Sequence, residues 1–142
     1  MVEFLVASAF AVTASCPTSD SDSGVISKAW ARGDYETIVA VLEPCAKSGD
    51  VMAEFSLGYY LVAWLEDTEP KDKPKHSYAD GLSWISKAAQ GKLPRAANLM
   101  YQVYKSGKYG VPKNEEASQC WLGVSQLRRD ALDCMDLESV EK

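Results

Sequence analysis

Four cysteines, Cys16, Cys45, Cys120 and Cys134, are the side chains best able to do covalent chemistry in this sequence. Their separations exclude a CxxC dithiol, and no Cys/His spacing of a zinc site is present, so oxidation to disulfides is the chemistry they predict. His76 is the only histidine, and no motif places a serine or cysteine nucleophile beside it. Glu115 and Glu116 open a helical segment, where carboxylates favour the positive end of the helix dipole, a structural use rather than an acid–base one. No phosphate loop, dinucleotide fingerprint or metal-binding helix is found. The expectation is a chain with no enzyme activity, no metal and no cofactor. An active site assembled from paired carboxylates of perturbed pKa is the one catalytic alternative.

Charge narrows the choice of partner. The formal net charge is -5 and the pI is about 4.9, a balance that repels phosphate backbones and anionic lipid and attracts basic surfaces. Nucleic acid is therefore not expected as a ligand. The densest basic group, Lys71, Lys73, Lys75 and His76, is interleaved with Asp72, Pro70 and Pro74 and reads as a solvated loop. At the other extreme, Phe4 to Val12 is an apolar run followed by Thr13, Ala14, Ser15 and Cys16. That order resembles a secretion signal ending in a lipobox, although no Lys or Arg starts it, and the alternative is a short buried or amphipathic helix. The run is too short to span a bilayer. Residues 1–16 are accordingly read as a signal or lipobox segment, 17–24 as a linker and 25–142 as one helical domain. A periplasmic or secreted location is expected, with the membrane reached only through a lipid on Cys16.

The elements that must position these residues are all helical. The Ser/Asp-rich stretch Thr18 to Gly24 precedes a helix from Val25 to Arg32, broken by Gly33 and Asp34. A second helix runs from Tyr35 to Lys47, with Ile38, Val39, Val41 and Leu42 on its apolar side, and stops at Ser48, Gly49 and Asp50. A third, Val51 to Leu65, carries Phe55, Leu57, Leu61, Val62 and Trp64 and contains Gly58, where a neighbouring helix can come close. Glu66 to His76 is charged, carries two prolines and reads as an exposed loop. Helices from Tyr78 to Ala89, Pro94 to Lys105 and Asn114 to about Leu127 follow, and Arg128 to Lys142 forms a last short one with Leu132, Met135 and Leu137 as its apolar side. Such an atypical end unit caps a repeat array.

Helical hairpins recur at regular spacing, with Trp84 and Trp121 standing 37 residues apart, each in the second helix of a pair. The residues Ala96, Ala97, Asn98, Leu99, Met100, Tyr104, Gly107, Gly110, Val111, Pro112, Lys113, Asn114, Ala117 and Trp121 resemble the repeat of the Sel-one-like family, relatives of the tetratricopeptide repeat. Ala53, Leu57 and Gly58, and then Ala79, Trp84, Lys87, Ala88, Ala89 and Gly91, follow the same pattern. The resemblance covers about Ala29 to Val124. It implies an all-α fold, a short right-handed α-solenoid of six to seven helices in antiparallel pairs. Small residues such as Ala88, Ala89 and Gly58 would let helices approach, and Trp84, Trp121 and Tyr104 would fill the space between pairs. Two departures stand out. Glu66 to His76 replaces the short glycine-rich loop of the first full repeat, and Tyr101 occupies a position where the family has a close-contact glycine.

In antiparallel hairpins the start of one helix lies near the end of the next, which pairs Cys16 with Cys45 and sets Cys120 and Cys134 on either side of a turn near Arg128, two bridges that clamp the two ends. Lipidation of Cys16 would leave Cys45 free. The first helix of each pair lines the concave face of such a stack, and Tyr59, Tyr60, Tyr101, Gln102 and Lys105 are the residues expected there to meet another protein. The resemblance implies a non-catalytic interaction module. Small exported bacterial members of the family include immunity proteins that neutralise a partner toxin, for instance a secreted phospholipase, and the alternative is an envelope or host-facing adaptor linking other proteins.

Overall fold

Most helices begin where a side chain can take up their free backbone N–H groups. In the computed structural model, which describes residues 24–69 and 75–138, Asp34 accepts from Thr37 N at 3.2 Å, Asp50 from Ala53 N at 2.8 Å and Asn114 from Ala117 N at 3.0 Å. Ser77 and Asp80 close a reciprocal capping box. Pro94 occupies the first turn of its helix, where a missing N–H costs nothing. The helices so defined are α1 (Val25–Ala31), α2 (Tyr35–Lys47), α3 (Val51–Asp67), α4 (Tyr78–Gln90), α5 (Pro94–Ser106), α6 (Glu115–Ser125) and α7 (Ala131–Glu138). Among the described residues there is no strand, and no helix is long and apolar enough to cross a membrane.

Each helix packs on its neighbours in sequence, the order of a short α-solenoid, and α7 also returns to touch α4. The closest approach lies between α3 and α4. A Cβ added to Gly58 would stand 2.5 Å from the Gly81 carbonyl oxygen and 2.7 Å from Ile85 Cγ1, and one added to Gly81 would stand 2.8 Å from Val62 Cγ2. Gly58 is thus the point of close approach that the sequence suggests, and Gly81 is its unforeseen counterpart. Around this crossing lie two cores. Ile38, Leu42, Leu57 and Leu61 fill the one made by α1–α3, and Ile85, Met100, Val103 and Trp121 the one made by α4–α7. Trp121 is wholly buried and Tyr104 nearly so. Trp84 is only half-buried, with the Lys87 ammonium 5.1 Å above its ring.

Cys120 and Cys134 are joined across the α6–α7 turn, their Cα atoms 5.6 Å apart. Cys45 is also held in a disulfide. Its expected partner Cys16, like the whole segment 1–16, lies outside the described residues, as does most of the Pro-bearing part of the insert.

Several details differ from the sequence expectation. Helix α1 ends one residue early, at Ala31, because the Gly33 and Asp34 amides turn back to the Trp30 and Ala29 carbonyls. Helix α3 runs two residues past Leu65, so Glu66 and Asp67 are helical rather than loop. The Asp67 carboxylate there accepts the Tyr35 hydroxyl, a contact that ties the last turn to α2. Helix α6 stops at Ser125, with the Leu127 amide bonded to the Val124 carbonyl and the Arg128 amide to that of Gly123, the paired closure of a Schellman end. Leu127 thereby takes the left-handed position, φ 59°. Leu132 is 60% exposed rather than on the apolar side of α7, because Ala131 and the bridged Cys134 set the buried face of that helix.

Candidate binding face

Helical spacing of the aromatic residues in α3 makes two stripes. Phe55 and Tyr59 stand four apart on one, and Tyr60 and Trp64 four apart on the next. The first stripe meets α5, where the Arg95 guanidinium lies 5.9 Å from the Phe55 ring centre. The second meets α1 and α2. A continuous path of ring contacts results: Phe55 to Tyr59 at 6.4 Å, Tyr59 to Tyr60 at 5.4 Å, Tyr60 to Trp30 at 5.3 Å, Trp30 to Tyr35 at 5.7 Å and Tyr35 to Trp64 at 6.0 Å. Trp64 continues it to His76 at 6.2 Å. Along this path Trp30 and Tyr59 keep 44% and 46% of their surface in water, a large outlay of exposed aromatic area on adjacent helices.

At the α1 end of the path lies an open surface cavity of about 590 Å³, lined by Trp30, Tyr35 and Trp64 and edged by Asp67 and Glu69. The Trp30 and Tyr35 rings stand at 89° to each other and form a corner. Burial, together with the hydrogen bond to Asp67, pushes the Tyr35 phenol well above its ordinary pKa, so it stays protonated and keeps that bond. Asp67 reaches this place only because α3 is longer than its apolar pattern.

Of the residues expected at a binding face, Tyr59 and Tyr60 lie within the aromatic path. Tyr101, Gln102 and Lys105 form a separate stripe along α5. There Lys105 Nζ donates to the Tyr101 hydroxyl at 2.9 Å and lies 5.2 Å from the centre of the same ring. That bond raises the Lys105 pKa and holds its charge over the tyrosine. Gln102 donates to Asn98 at 2.7 Å. Arg95 over the Phe55 ring links α5 to the aromatic path. Trp30, Trp64, Asp67 and Arg95 escape a reading of residue types alone. The signal that reaches two of them is the four-residue spacing of Tyr60 and Trp64 beside an unexplained tryptophan in a seven-residue helix.

Two other features have chemical interest. A groove of about 480 Å³ between α4, α5 and α7 is lined by Ser86, Gln90, Met100, Tyr104 and Met135, soft and apolar, with Gln90 Nε2 3.1 Å from the Met135 sulfur. Glu54 is buried at 3% exposure, its Oε2 lacks a hydrogen bond, and the nearest cation, Lys87 Nζ, is 3.7 Å away. Burial raises its pKa, opposed by Lys87 and reinforced by Asp50. Asp50 itself is engaged as the α3 cap, so the two carboxylates do not form an open pair. Among the described residues no group of three His, Cys, Asp or Glu is placed to hold a metal ion.

Fold and face together define an all-helical, solenoid-like array with an open aromatic surface on its α1–α3 side. No family model, no curated protein and no solved structure matches the chain.

Proposed function

We propose that this chain is a non-catalytic protein-binding module of an oxidising, extracytoplasmic compartment, and within that class an immunity protein that binds and neutralises a toxin effector. The observation that carries the binding reading is the unbroken ring path across α1, α2 and α3 with Trp30 and Tyr59 exposed. Tyrosine and tryptophan are the residue types that concentrate binding energy in protein interfaces, because they offer rigid area and a polar tip. The net charge of -5 favours fast association with a basic partner. The Cys120–Cys134 bridge is compatible with an oxidising compartment. The immunity role draws on the resemblance of the repeat residues to Sel-one-like arrays.

An affinity capture from the envelope fraction of the native organism tests it, with the oxidised chain as bait and the double variant Trp30→Leu/Tyr59→Ala as control. One stoichiometric toxin-like protein, lost with the double variant, supports the immunity reading. Several envelope proteins would replace it with the adaptor alternative, and no captured protein would remove the binding reading itself.

A further inference from the structure

The cavity at the end of α3 has a charge pattern that its aromatic walls alone do not explain. Two carboxylates, Asp67 and Glu69, edge it, and no lysine or arginine lines it among the described residues. Helix α3 is 17 residues long and carries no basic residue in its last turn, so no side chain of the helix itself offsets the negative end of its dipole. Trp30 presents an exposed face at right angles to Tyr35, and Asp67 uses only its Oδ2 on the Tyr35 hydroxyl. Arg32, the nearest cation in sequence, is turned to Asp34 at 3.4 Å.

We propose that this cavity receives an arginine side chain of the protein partner, with the guanidinium stacked on the Trp30 indole, its edge beside Trp64, and hydrogen-bonded to Asp67 and Glu69. The inference rests on the protein-binding reading above and names the chemistry at its centre. Aromatic faces attract any cation through the ring quadrupole. A guanidinium fits better than an ammonium, because it is flat, weakly hydrated and able to stack while its edge donates to a carboxylate. An arginine inserted here would bring its charge to both carboxylates and to the helix end at once.

The test reads the cavity directly. The four tryptophans give separate indole N–H signals in a ¹⁵N correlation spectrum, assigned by single Trp→Phe variants of the oxidised full chain. Titration with N-acetyl-arginine amide is expected to move the Trp30 and Trp64 signals saturably, with a dissociation constant on the order of millimolar, as one side chain can supply. Trp84 and the buried Trp121 should stay in place. The neutral isostere N-acetyl-citrulline amide should bind at least tenfold more weakly. Asp67→Asn, which keeps an acceptor for Tyr35, should weaken arginine several-fold, and Trp30→Leu should abolish the response while leaving the far-ultraviolet circular dichroism unchanged. Equal binding of citrulline, or movement of Trp84 instead, would overturn the proposal. So would an absent arginine response in the native chain that appears once Lys71 and Lys73 are replaced by Gln, since the insert would then own the cavity. A partner captured through the array without any arginine response would remove this inference and leave the binding reading intact. An arginine response without a captured partner would keep a guanidinium site in the cavity and overturn its assignment to a protein partner.

Discussion

Helices α1–α3 pack around Ile38, Leu42, Leu57 and Leu61 and leave Trp30 and Tyr59 in water, whereas α4–α7 bury Trp121 completely and are tied by Cys120–Cys134. The same kind of residue is thus spent in two ways. In the second half Trp121 and Tyr104 fill the interior and the Cys120–Cys134 bond closes the end. In the first half Trp30 and Tyr59 lie on the surface, and the core beneath is mainly aliphatic, with Tyr35 its one buried ring among the described residues. The difference teaches that exposed ring area is gathered at the α1–α3 end, while the α4–α7 end encloses its tryptophan in the core.

The sharpest way to break this contrast is Trp121→Ala. Its removal from a fully closed site should cost about 3–5 kcal/mol, read as a shift of the urea midpoint, whereas Trp30→Leu at the open end should change stability by no more than ~0.5 kcal/mol. Equal losses would erase the distinction. Next in size is the bridge. The double variant Cys120→Ser/Cys134→Ser opens a link between residues 14 apart in sequence and should cost ~3 kcal/mol by loop closure. Gly58→Ala acts on the contact between the halves. Its Cβ would meet the Gly81 carbonyl at 2.5 Å, and the forced separation should cost about 1–3 kcal/mol in thermal unfolding.

A smaller and opposite effect is expected at Glu54, where α3 faces α4. Its folded pKa lies above the ordinary value of 4.5, so the folded state binds the proton more readily than the unfolded chain. Stability therefore falls as pH rises from that ordinary value through the folded one. Glu54→Gln removes the charge that burial disfavours and should stabilise the protein by ~1 kcal/mol at neutral pH. The gain should fade below the ordinary glutamate pKa, where both proteins are neutral at this position. A constant gain at all pH values would show that charge is not the cause.

Much of the fold is legible in the sequence, because the signals that end helices are local. Asp34, Asp50, Ser77 and Asn114 stand before apolar periodic segments, and each caps its helix as its chemistry requires. What escapes is what depends on distant residues. The last turn of α3 is polar by composition and is secured by Tyr35, 32 positions away. Leu132 fits a helical period, but Cys134 fixes which side of α7 faces inward. The candidate face divides in the same manner. Tyr59 and Tyr60 are conspicuous by type, and the stripe of Tyr101, Gln102 and Lys105 follows from spacing within α5. The meeting of Trp30, Trp64, Asp67 and Glu69 exists only once α1, α2 and α3 are packed, so no periodicity announces it.

The crossing at Gly58 and Gly81 also governs how the chain comes apart. In a stack whose units touch only their neighbours, the ends fray first, and melting spreads unit by unit unless the interfaces are strong. A joint with backbone on both sides has no side chain to swing aside, so it holds fully or not at all. The two cores meeting there are expected to melt in one cooperative transition, with the slowest-exchanging amides of α2 and α6 reporting the same opening free energy. A molecule that gripped the α1–α3 end would then steady the α4–α7 end as well.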